Sequence, residues 1–287
     1  MPTILFPLIA ASALAHAAWN IALKADADPE TAAVRAVILP GAIVGAIAAT
    51  CWAIGLMPLD ALALLLGLAA GVAEVAYFTA LARAYAVAPI SLVYPVVRGV
   101  NPLAAVLVGT LLLGERLSGG QLIGVAALVG GLLLLHRPWR ALRRNGARPL
   151  AGAPLGAAIA AGLHSALGSS IERVGVMHVG AIEFLGITWA ATSLLFFAIS
   201  SYRGGATHSS PRLFGVGTLM ILGHLLVMAS FAIAPLSVVV PLRESAVLLV
   251  SGWGLVRRRE ASTHIERARR VIGAATIVGG AAIIAIG

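Results

Sequence analysis

Charged and hydrogen-bonding side chains stand inside long apolar runs, at spacings that a helix turns into faces. His16, Trp19 and Asn20 are three and four positions apart, so an imidazole, an indole N–H and an amide share one helical face. Such a face suits a polar organic ligand. It equally suits hydrogen bonding between packed helices. Glu74, Tyr77 and Phe78 form a second face with Leu81. A carboxylate beside two rings can hold an amine or a quaternary ammonium, and can also carry a proton. The alternative is a salt bridge to a buried arginine. A third face holds Tyr94, Arg98 and Asn101. A guanidinium at membrane depth needs a carboxylate partner, the protein's own or a substrate's. Glu244 could be that partner, with Arg243 beside it. His164 follows Leu163 as His16 follows Ala15, and His224 lies between Met220 and Met228.

The elements that carry these groups come in two copies. Residues 88–97 read Ala-Pro-Ile-Ser-Leu-Val-Tyr-Pro-Val-Val, and residues 234–242 read Ala-Pro-Leu-Ser-Val-Val-Val-Pro-Leu. Pro89 and Pro95 match Pro235 and Pro241 at the same spacing that relates Arg98 to Glu244. A proline inside a helix frees the carbonyl four residues back, here Ser91 or Ser237. Pro95 and Pro241 are therefore expected as helix breaks or gates near a central site. The alternative is a duplicated kink that only shapes the bundle.

Composition sets the class. Of 287 residues, 60% are hydrophobic and 11% charged, against about 25% charged in soluble proteins. The expected fold is an all-α polytopic membrane protein. Twenty Lys and Arg against eleven Asp and Glu fit basic cytoplasmic loops, and nucleic acid is not an expected partner. A single cysteine, Cys51, excludes an internal disulfide. No phosphate loop or His-Glu-x-x-His pattern is present, so no cofactor, metal or enzymatic activity is expected. A cleaved leader is not expected either, because no Lys or Arg precedes the first apolar run.

Ten runs are long enough to cross a bilayer: 3–23, 31–56, 61–83, 88–113, 118–136, 154–172, 179–201, 212–233, 236–256 and 268–286. The basic segment 137–153 divides the chain into 1–136 and 154–287, five runs on each side. An odd number of spans per half makes the halves inverted repeats. Lys24, Arg83, the arginines of the central loop, Arg203, Arg212 and Arg257 to Arg259 follow odd-numbered runs. They predict cytoplasmic odd connections and both termini on the periplasmic side. Gly67 and Gly71 read as helix packing. The Gly/Ala-rich fifth and tenth runs read as packing or dimerisation helices, which leaves monomer and homodimer open.

An aromatic residue before Ala-Pro-x-Ser in both halves, and Leu113-Gly114-Glu115-Arg116-Leu117 after the fourth run, resemble the EamA-type drug/metabolite transporter superfamily. Among its members the chain is similar to the YddG-type amino-acid exporters. The second half keeps Glu260 but reads Arg-Arg-Arg-Glu-Ala there. The resemblance implies ten transmembrane helices in two inverted five-helix repeats. It also implies a bacterial inner-membrane location and export of small amphipathic molecules, amino acids first, by alternating access. The expected partners are that small-molecule substrate, the lipid bilayer and, as a candidate coupling ion, the proton. In this reading Glu74 holds the substrate amine, and Arg98 or Arg243 its carboxylate. Export of lipophilic cations, which needs Glu74 and the rings but not the arginines, is the first rival. A non-transporting scaffold is the second.

Overall fold

A computed structural model describes residues 2–23, 26, 28–58, 60–88, 90–137, 152–205, 207, 210–244 and 264–286. Among the described residues the chain is all helical. Its elements are α1 (Leu5–Leu23), α2 (Pro29–Ala53), α3 (Ala61–Val87), α4 (Ile90–Leu107), α5 (Gly119–His136), α6 (Gly152–Val179), α7 (Ala181–Tyr202), α8 (Pro211–Ile233), α9 (Leu236–Glu244) and α10 (His264–Ile286). A π-helical turn, Val108–Leu112, closes α4. Each predicted apolar run overlaps an α-helix of its own. The expected end of the ninth run, 245–256, and most of the basic loop lie outside the described residues, as do Pro89, Arg257 to Arg259 and Glu260.

Among the described residues four helices, α2, α3, α7 and α8, are long and apolar enough to cross a membrane. Each presents large apolar side chains outward, Ile47, Leu65, Leu194 and Leu222 among them. Facing water, such a surface would drive association; facing lipid, it is the ordinary condition.

Local chemistry sets the helix starts. Asp28 accepts from the Thr31 N–H ahead of α2, and Pro29 occupies the first helical position, where no N–H is needed. Asp60 accepts from Ala63 N–H at 2.7 Å and starts α3. Ser118 and Gln121 form a reciprocal capping box on α5. The helix α6 runs seven residues past the predicted end at 172, to Val179. Glu172 and Arg173 mark the edge of the apolar run, but both are good helix formers, and each finds a partner that lets it stay inside.

The helices form two compact units, and each draws on both halves of the sequence. The first contains residues 1–5, 77–166 and 234–287; the second contains 6–76 and 167–233. In the first unit α5 lies along α10, with Gly124 against Gly280 and Ile284, and Gly131 against Gly273 and Ile277. Small residues allow such close backbone contact. A buried core of Ala84, Val93, Val96, Val97, Ala158 and Ala161 joins α3, α4 and α6.

In the second unit α7 and α8 pack on α2. A side chain at Gly217 of α8 would run into the Ala36 carbonyl of α2, so only glycine permits that approach. The predicted packing pair is on the α3–α7 contact, Gly67 facing Ile187 and Gly71 facing Ala191. Buried hydroxyls tie the helices further. Ser12 Oγ donates to Gly223 O at 2.8 Å, and Ser193 Oγ to Ile38 O at 2.5 Å.

Candidate functional site

The first unit joins Arg98 of α4 to Glu244 of α9. Arg98 Nη1 is 2.8 Å from Glu244 Oε1 and 2.7 Å from Oε2. Asn101, one turn on along α4, donates through Nδ2 to Glu244 Oε1 at 3.1 Å. Glu244 and Asn101 are buried, and the Arg98 side chain is 19% exposed. The low dielectric strengthens this pair, yet each ion alone would be costly there. Asn101 Oδ1 is buried and has no donor among the described residues. The cluster therefore offers one guanidinium, one carboxylate and one unused acceptor. Arg243, next to Glu244, is half-buried and takes no part in the cluster.

Close by in sequence, the π-turn sends the chain back on itself. Leu113 N–H reaches Val108 O and Glu115 N–H reaches Gly109 O. This carries the Glu115 carboxylate to the start of α9. Its Oε1 accepts from Leu236 N–H at 2.6 Å; its Oε2 accepts from Ser237 N–H at 3.0 Å and from Ser237 Oγ at 2.7 Å. A carboxylate here satisfies orphan amides and faces the positive end of the helix dipole. Ser237, predicted to sit beside a freed carbonyl, thus spends its hydroxyl on Glu115. The backbone of α4 and α9 stays helical through Pro95 and Pro241. Pro241 is buried.

The second unit holds another polar group. His224 Nε2 of α8 lies 2.9 Å from Glu172 Oε1 of α6. Trp189 of α7 stands edge-on to the imidazole, ring centres 5.5 Å apart. Trp189 Nε1 is buried with no acceptor among the described residues. Met220 and Met228 are buried on either side of His224 along α8. Glu183, near the start of α7, is buried, and Trp52 Nε1 donates to it at 3.4 Å. Arg173 donates to the Phe231 carbonyl.

The remaining candidates are placed less tightly. His16 and Trp19 do share a face of α1, with rings 4.6 Å apart and nearly perpendicular. Tyr77 and Phe78 make an edge contact at 5.1 Å, and Tyr77 also packs on the first unit's core. Glu74 is half-buried one turn earlier on α3, within the residues of the second unit. His164 is half-buried in the first-unit part of α6. The side chains of Asn20, Tyr94 and Pro95 lie outside the described part of the structure.

Two functional candidates, Glu115 and Glu172, were not singled out by sequence reasoning from the residues. Glu115 appears there only within a family motif. The one signal for Glu172 is a carboxylate set where an apolar run still continues as a helix.

Comparison with known proteins bears on the fold. Twenty-three solved chains match this one. One, described only as "Crystal structure of protein", is 19% identical, with a TM-score of 0.70 over 99% of this chain and 96% of that one. No protein-family model matches the chain. No curated protein matches it.

Proposed function

We propose that this chain is a secondary transporter of the bacterial inner membrane. It has ten spans in two inverted repeats and exports small amphipathic metabolites, amino acids first, by alternating access. The observation that carries this reading is the Arg98–Glu244–Asn101 cluster. Arg98 and Glu244 are 146 positions apart, the offset that relates the two proline-bearing stretches. Residues equivalent in two inverted repeats meet at the axis between them, which is where such transporters bind substrate.

The chemistry fits a zwitterion. A substrate carboxylate can replace Glu244 on the Arg98 guanidinium, and its ammonium can take the freed Glu244 carboxylate. Asn101 Oδ1 supplies an acceptor for a further ammonium hydrogen. The internal pair then closes the empty site, and substrate opens it, so neither charge is ever buried alone. This moves the amine-binding role from Glu74 to Glu244. Tyr77 and Phe78, in the same unit as the cluster, would tolerate varied substrate side chains. Basic odd-numbered connections on the cytoplasmic side would place both termini in the periplasm.

The test is release of labelled amino acids from proteoliposomes by wild type, Arg98→Ala and Glu244→Gln. Saturable release that both substitutions abolish in folded protein supports the reading. Uptake of a lipophilic cation with no amino-acid release, unaffected by the substitutions, would replace it with the multidrug reading.

A further inference from the structure

Glu172 and His224 form a buried acid–base pair for which the zwitterion site has no use. They come from different helices, α6 and α8, and their side chains are only 4% and 12% exposed. Trp189 stands edge-on to the imidazole, and Met220 and Met228 are buried one turn to either side of it along α8. Among the side chains that the structure describes, the other titratable or charged groups on the second-unit helices are His16 of α1, Arg35 and Cys51 of α2, Glu74 of α3, Arg173 and His178 of α6, Glu183 and Tyr202 of α7, and Arg212 of α8. Of these, Arg173 is engaged with the Phe231 carbonyl and Glu183 with Trp52.

A buried ion pair is a poor device for stability, since apolar residues of similar volume do as well or better. Histidine is instead the side chain whose charge ordinarily changes within the physiological range. With a neutral imidazole the pair carries one negative charge; with one more proton it carries none. That single step forms one N–H bond on the ring, and release breaks it. No electrons move. In apolar surroundings a one-charge change is a large electrostatic event, enough to bias how α6 and α8 pack.

We propose that the Glu172–His224 pair is the proton-binding site of the transporter, loaded from one side of the membrane and emptied to the other. This rests on the transport reading above and gives that reading its coupling ion. It separates the proton from the substrate: the first unit would bind the zwitterion, and the second would carry the charge that drives it.

The experiment is accumulation of a labelled amino-acid mixture by proteoliposomes under an imposed pH difference, compared with the same vesicles at equal pH. For one coupled proton, each pH unit sustains about a tenfold substrate gradient. Wild type should reach about tenfold per unit. Glu172→Gln and His224→Gln should each fall to a ratio of about one. That ratio does not depend on how much protein is folded, so a merely structural bridge would leave it at tenfold and overturn the proposal. A second measurement uses wild type alone: the ring-nitrogen resonances of His224 in histidine-labelled protein, followed over roughly pH 5 to 9. A change of protonation state within that range supports the site; a single state throughout overturns it. If wild type moves no amino acid, the transport reading fails, and the His224 titration still decides the proton site.

Discussion

Glu115 and Ser237 are joined twice, through the backbone N–H of Ser237 and through its hydroxyl, both onto Glu115 Oε2. They are 122 positions apart in sequence. The end of one apolar run thus caps the beginning of another, and a carboxylate does at α9 what a local Ser or Asp does at most helices.

Glu115→Ala should therefore lower unfolding stability in detergent by about 2 kcal/mol, the upper range for loss of a cap. Gly109→Ala should act through the same contact, since a side chain there would strike Glu115 Oε2. The double variant should then lose less than the two single losses added together. Denaturant melts of the three proteins measure this. Strict additivity would remove the link between Gly109 and the cap.

Arg98→Ala or Glu244→Ala alone leaves an uncompensated buried charge and should cost about 3–5 kcal/mol. Replacing both, as Arg98→Met with Glu244→Leu, should recover most of that loss while export stays abolished. A double variant that is both stable and active would show that the pair only fastens α4 to α9.

Asp60 gives a stability change with pH. The Ala63 N–H, then the facing His178, hold its carboxyl below the ordinary 3.8. His178 Nε2 is 3.0 Å away. Because the folded form binds its proton less readily than the unfolded chain does, this contribution is present above about pH 4 and lost as pH falls through the folded value. Asp60→Asn should flatten that acid limb in melts taken from pH 6 downwards and leave the limb above neutrality unchanged.

Gly217→Val should destabilise the α2–α8 contact by about 1–3 kcal/mol, the usual cost of overpacking. Gly168→Ala is its control. Among the described residues a methyl there meets only Ala73 Cβ, at 3.7 Å, and should be neutral or slightly stabilising, since alanine favours helix. Comparable losses in both would mean that the Gly217 approach is not special.

The helices were legible because apolar length is a strong signal, and the start signals at Asp28, Asp60 and Ser118 are local in sequence. The meeting of Arg98 with Glu244 was legible too, because a repeated offset points one copy at the other. Glu172 was not. It stands where hydropathy falls, and only its partner on α8 shows why it lies inside the fold. Glu115 was legible as a motif but not as a cap, since the amides it serves belong to the other half of the chain. The grouping of helices into units was illegible for a similar reason. It rests on small-residue contacts such as Gly217 on Ala36, and such contacts leave no periodic mark.

Two clasps hold α9 to the end and the middle of the fourth helical run: Glu115 at Ser237, and Arg98 at Glu244. Seven residues separate them along α9, about 10 Å of helix. A rod pinned at two points can neither roll about its axis nor slide. Release one pin, and what remains is a pivot. In the transport reading, a substrate that took Arg98 and Glu244 apart would release α9 at Glu244 and leave its N-terminus anchored. The helix would then swing as a lever about Glu115, with an arm already two turns long.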